Sequence, residues 1–154
     1  ELAPILKERE QTLCVAESST GGLIAASLLA VPGASAYFVG GSVVYTARAR
    51  KVLSQVKRED LEGLEPLTEQ MAAAFARTAR EQLNTTWAIS ELGIAGPTPA
   101  RYGNPPGITV IAIDGPVCKS RIIQTGSDDR EGNMWQFTAA ALTLLGEALA
   151  DQTA

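Results

Sequence analysis

Apolar positions along this chain fall in short blocks, and the spacing changes from block to block. Residues 2–10 (LAPILKERE) read as a short helix, and TLCVAE (12–17) reads as a buried strand rich in β-favouring residues. GGLIAASLLA (21–30) has helical apolar spacing and stops at the breaker pair Pro32-Gly33. YFVGGSVVY (37–45) predicts a strand with a glycine kink, and ARARKVLSQ (47–55) a helix with a basic face. From Thr68, Met71, Phe75, Ala79 and Leu83 recur every four residues, which predicts a helix with that stripe in the core. TWAISELG (86–93) is a further strand. ITVIAID (108–114), a Gly-Pro turn and VCKSRIIQ (117–124) form an expected β-hairpin. Asp128 and Glu131 stand in a capping pattern before a last helix with Trp135, Ala139, Leu142, Leu145 and Leu149 on its expected inner face.

Strands interleaved with helices, closed by a hairpin, predict a layered α/β domain with a mixed sheet. The 154 residues are expected to form one domain, 1–154, large enough to bury roughly 68–70% of its unfolded surface. No run of about 18 apolar residues marks a membrane span. The net charge of −4 without a basic block argues against a nucleic-acid footprint, so the expected partner is a small molecule. Cys14 and Cys118 each sit in a strand-like run outside any C-x-x-C spacing, and both are expected to be reduced core residues of a cytoplasmic protein. The absence of histidine from the sequence excludes Ser-His-Asp and Cys-His activation and histidine zinc sites.

Three polar loops follow strand ends: 18–22, 92–107 and 125–130. The middle one carries four prolines, and a loop of that length in a compact domain is functional or disordered. Ligands of open α/β sheets collect at such edges, where helix N-termini offer free amides to anions. Ser18-Ser19-Thr20-Gly21-Gly22 supplies hydroxyl and amide donors, and Arg130 could clamp a phosphate or carboxylate. The plain alternative is a set of capped helix starts with no ligand at all.

The segment AESSTGGLIAASLLAVPGASAYFVGGSVVYT resembles the A-E-S-[CS]-T-G-G…P-G-[AS]-S…F-x-G-G-x-V-x-Y-[ST] signature of the CinA C-terminal family, the nicotinamide-nucleotide amidases. ELGIAGP (91–97), PPGITVIAI (105–113) and SDDRE (127–131) are similar to that family's [TS]-G-I-A-G-P, P-V-G-T-V and G-D-R motifs, in order and at compatible spacings. The resemblance implies a three-layer α/β/α single domain with a mixed, mostly parallel sheet of about five strands. It also implies hydrolysis of the carboxamide of nicotinamide mononucleotide to the acid and ammonia, with no metal or organic cofactor. A small-molecule nucleotide partner and a homo-oligomer are expected. Carried over by motif, the reactive centre falls on Ser18 with Thr20, Tyr45, Arg50 and Leu92. Ser19, Gly21, Gly22, Gly96 and Arg130 are expected to bind substrate.

Two of these positions depart from the pattern. Arg50 stands where the family has a lysine, and a guanidinium stays protonated, so it cannot take a proton from Ser18. Lys51 is the neighbouring amine, but it would need a one-residue shift in helical register to replace the lost base. Leu92 stands where the family has a hydroxyl. Ser90, two residues back on the same strand face, lies some 6–7 Å away by strand rise. The alternative to a working amidase is therefore a catalytically silent nucleotide-binding relative.

Overall fold

Residues 2–152 are described by a computed structural model. Its centre is the parallel pair β1 (Leu13–Glu17) and β3 (Trp87–Ile94), and β1 is buried at every residue because both of its faces are covered. The remaining strands are β2 (Phe38–Val43), β4 (Ile108–Asp114) and β5 (Lys119–Gln124), in the order β2-β1-β3-β4-β5. β1 pairs parallel with β2 and β3, while β4 pairs antiparallel with β3 and β5. β1, β2, β3 and β5 therefore share one direction and β4 alone opposes them, which is the mixed, mostly parallel five-stranded sheet expected.

Alternation along the strands sorts the side chains into two layers. Leu13, Val15, Trp87, Ile89, Ile111 and Ile113 pack against α1 (Leu2–Glu8), α2 (Leu23–Leu29) and α6 (Arg130–Asp151). Cys14, Ala88, Leu92, Val110 and Ala112 face the other way, against Ala72, Phe75 and Ala76 of α5 (Glu69–Leu83). Thr68 starts α5 by accepting the Met71 amide at 3.3 Å. By strand parity Glu91 and Thr109 belong to the first layer and Leu92 to the second, a difference that decides what each can do.

Several expectations are corrected. The inner face of α6 runs through Phe137, Ala141, Leu144, Leu145, Ala148 and Leu149, while Trp135 is 52% exposed and Ala139 lies outside. The helix is capped by Asp129, which accepts the Gly132 amide at 3.2 Å, and not by Asp128. Leu83 ends the α5 stripe at the surface. Cys14 is buried, but Cys118 is exposed in the turn before β5. A short α4 (Arg58–Leu61) and a 3-10 turn (Ala34–Ala36) lie in stretches with no clear periodicity.

The predicted helix 47–55 is split. Only Ala47–Ala49 is an α-turn (α3), and Arg50–Ser54 is a π-turn. The Ser54 hydroxyl donates to the Arg50 carbonyl at 2.5 Å, taking the acceptor that an α-helical amide would use. Such wide turns often accompany functional sites.

Candidate active site

The turn after β1 is held by two buried carboxyl groups. Glu17, at the end of β1, is 1% exposed, and its Oε1 accepts the amides of Gly22 at 3.2 Å and Ile24 at 2.9 Å. Its Oε2 accepts the Ala25 amide at 2.9 Å. These are the donors that the first turn of α2 leaves unsatisfied. The expected anion cradle around Gly21 and Gly22 is thus filled from within by the chain's own carboxyl. Gly21 and Gly22 serve the backbone instead, at φ +63° and +100°.

Glu91 comes up from β3 and accepts the amides of Ser18 and Thr20, each at 3.0 Å. It also accepts the hydroxyls of Thr20 at 2.9 Å, Thr109 at 2.9 Å and Ser19. The Thr20 hydroxyl lies 2.7 Å from Glu17 Oε1 as well, so one hydroxyl joins both carboxyls. The packing here is tight: a Cβ on Gly93 would stand 2.5 Å from Ser19 Oγ and 2.8 Å from Glu91 Oε1.

This arrangement separates the three consecutive hydroxyls. Ser19 and Thr20 point inward at the carboxyls and line neither of the cavities that Ser18 lines. Ser18 alone lines the space outside, its amide held by Glu91 and its hydroxyl engaged by no other described residue. Two adjoining cavities share Ser18, Arg50, Gly93 and Tyr102. One, of about 290 Å³, is walled on one side by the carbon side chains of Leu61, Leu67, Met71, Phe75 and Leu92. The other, of about 610 Å³, carries Tyr45, Arg101 and Arg130 together with the turn at Gly96. Neither is lined by an acidic side chain. Among the described residues no group of three or more acidic or cysteine side chains could hold a metal ion.

Arg130 is fixed at the start of α6. Asn133 donates to the carbonyls of Ala95 at 2.8 Å and Ser127 at 2.9 Å, which ties that helix start to both surrounding loops. Arg130 Nη1 then donates to the Gly96 carbonyl at 2.6 Å and Nη2 to the Tyr45 hydroxyl at 3.0 Å. Its guanidinium also lies 5.9 Å from the centre of the Tyr45 ring.

Ser18, Tyr45, Arg50, Gly96 and Arg130 are thus brought to one cavity, and Leu92 to the adjoining one. Thr20, Ser19, Gly21 and Gly22 lie behind them, outside the lining. Lys51 lines a third cavity, of about 490 Å³, that shares Arg50 but not Ser18. The π-turn therefore does not carry Lys51 into the place of the missing base. Ser90 cannot replace the missing hydroxyl either, because it is fully buried and donates to the Ala72 carbonyl at 2.5 Å.

Motif reading passes over Glu17, Glu91, Arg101 and Tyr102. The two glutamates carry a visible signal: a charged residue ending or interrupting an otherwise apolar strand must find buried donors. Arg101 and Tyr102 sit in the proline-rich loop, where no spacing rule fixes direction.

A three-layer α/β/α domain with a hydroxyl turn seated on paired carboxyls, beside an arginine-lined cavity, defines the class. The chain belongs to the CinA C-terminal domain family, whose model matches residues 1–149. It is 38% identical over 135 residues to a CinA-like protein of Parasynechococcus marenigrum (strain WH8102), covering 87% of this chain and 32% of that protein. The chain spans about a third of the length of the curated relatives it matches. A CinA superfamily protein from Klebsiella pneumoniae 700603 superposes with a TM-score of 0.89 at 28% identity, over 97% of this chain and 94% of that one. The competence/damage inducible protein CihA from Agrobacterium tumefaciens gives 0.87 at 27% identity, over 97% and 91%. Among the described residues no helix is long and apolar enough to cross a membrane.

Proposed function

We propose that the Ser18 cavity binds a pyridine mononucleotide and hydrolyses its carboxamide slowly, as an impaired amidohydrolase of the nicotinamide-nucleotide type. The observation that carries this reading is the outward Ser18, held by its backbone on Glu91, in a cavity with three arginines and no acid. Arg130 and Arg101 suit a phosphate, for which guanidinium geometry is well matched. The carbon wall of the neighbouring cavity suits a flat ring. The chemical step is slow because Arg50 supplies charge but no base, and Leu92 supplies no hydrogen bond.

A second reading, binding without turnover, is favoured by the same Arg50 and Leu92. Ammonia release from nicotinamide mononucleotide by pure protein, beside a calorimetric titration with that nucleotide, separates the two. Release above the no-enzyme control selects the enzyme, and binding without release selects the silent relative. Absence of both overturns the nucleotide reading.

A further inference from the structure

Arg50 lines three adjoining cavities, two of them with Ser18, and forms no ion pair with an acidic residue among the described residues. The side chains beside it set a hydrogen-bond requirement. A guanidinium only donates and Leu92 offers nothing, while the Ser18 and Tyr102 hydroxyls can each donate one hydrogen or accept one. A carboxamide would present the Arg50 fork with one acceptor and an N–H group, whereas a carboxylate matches the fork with two oxygens and the opposite charge. A carboxylate brings acceptors only. A pyridinium ring against the carbon wall of the smaller cavity would also set its positive charge near Arg50, with a neutral amide doing nothing to offset it.

We propose that Arg50 and Ser18 make this end of the cavity a carboxylate site, so that the preferred ligand is a phosphorylated molecule whose flat ring bears a free carboxylate. The inference rests on the reading that the cavity takes a ring-bearing mononucleotide. The phosphate end is left to Arg130 and Arg101, and Arg50 reads the ring substituent.

The test uses three probes in calorimetric titrations: nicotinamide mononucleotide, the acid it would yield on hydrolysis, and ribose 5-phosphate, which has no ring. The native chain should bind the acid about tenfold or more tighter than the amide, the size expected of a hydrogen bond between charged groups. Arg50→Gln should abolish that preference while leaving ribose 5-phosphate affinity unchanged. An unchanged urea-unfolding midpoint in Arg50→Gln guards against a folding artefact. Equal affinity for acid and amide in the native chain overturns the carboxylate site and leaves the nucleotide reading standing. An equal loss of ribose 5-phosphate in Arg50→Gln also overturns it, because Arg50 would then hold the phosphate. If no probe binds, both the inference and the reading beneath it fall.

Discussion

Thr20 donates its backbone amide to Glu91 at 3.0 Å and sets its hydroxyl between Glu91, at 2.9 Å, and Glu17, at 2.7 Å, so a carboxyl on β3 holds the turn that leaves β1. The residue that looks catalytic by motif is thereby structural by position. It carries load for Ser18, whose own amide ends on the same carboxyl oxygen. Glu91→Gln replaces one of two accepting oxygens by a donor facing other donors. That should cost about 1–3 kcal/mol, the cost of a buried group left unsatisfied. Urea unfolding should show the loss as a lower midpoint, and an unchanged midpoint would show the carboxyl to be dispensable.

Glu17 makes a separable contribution. Its carboxyl takes the amides of Gly22, Ile24 and Ala25, so Glu17→Ala should free the first turn of a seven-residue helix with no side-chain cap. Native-state hydrogen exchange at Ile24 and Ala25 should accelerate well before global unfolding, while amides in α5 keep their protection. Uniform acceleration across the molecule would instead mean that Glu17 supports the whole fold.

Arg130 is held by the Gly96 carbonyl and the Tyr45 hydroxyl, which leaves its cationic face at the polar cavity. Arg130→Ala should weaken binding of a phosphorylated nucleotide about 10- to 100-fold, the range of a charge-assisted bond worth ~1.5–3 kcal/mol. Tyr45→Phe removes only one neutral support at an exposed position and should cost no more than a few-fold. Affinity untouched in Arg130→Ala, measured by calorimetry on folded protein, removes the arginine from the site.

The sequence made the layers legible because period-2 and period-3.6 spacing follow directly from which face is covered. Both faces of β1 and β3 are covered, and their runs are accordingly apolar. The site was half legible. Ser18, Tyr45 and Arg130 could be placed by motif, but the inward turn of Ser19 and Thr20 depends on Glu91, a residue 71 positions from Thr20 on the strand that pairs with β1. The amides of α2 looked available to a ligand only because nothing local shows that Glu17 folds back onto them. The rotation of the α6 face away from Trp135 has a similar cause: in a helix with many small residues, Ala141 and Ala148 are as well suited to the core as large side chains, so hydrophobicity alone sets the stripe poorly.

The two cysteines should behave oppositely. Burial pushes the Cys14 thiol up from its ordinary value, with the Thr85 hydroxyl at 3.2 Å and the Arg80 charge opposing, while Cys118 is exposed. An aqueous thiol reagent should label Cys118 in the folded protein and reach Cys14 only on unfolding. The raised thiol favours the neutral form in the folded state, so its stabilising contribution is complete below the unfolded thiol value, about 8.5, and is lost as pH rises above it. Cys14→Ala should flatten the fall in stability above that pH. Fast labelling of both thiols in the native state would contradict the buried placement.

The proposed slow chemistry gives the sharpest test, because two side chains are held responsible for it. Arg50 lines the cavity with Ser18 but cannot accept its proton, and Leu92 closes the adjoining wall with carbon. Arg50→Lys restores an amine that desolvation can make a base, and general-base assistance is worth about 10²–10⁴ in rate. Leu92→Thr restores a hydroxyl on the α5 side of β3, where Ser90 is already committed to Ala72. The double variant should therefore release ammonia from nicotinamide mononucleotide far faster than either single variant, since groups acting as a unit are not additive. Lys51→Ala should leave the native rate where it is, because Lys51 lines a cavity that Ser18 does not reach. Loss of a robust native activity in Lys51→Ala would make that lysine the base and require the π-turn to rewind in the working enzyme.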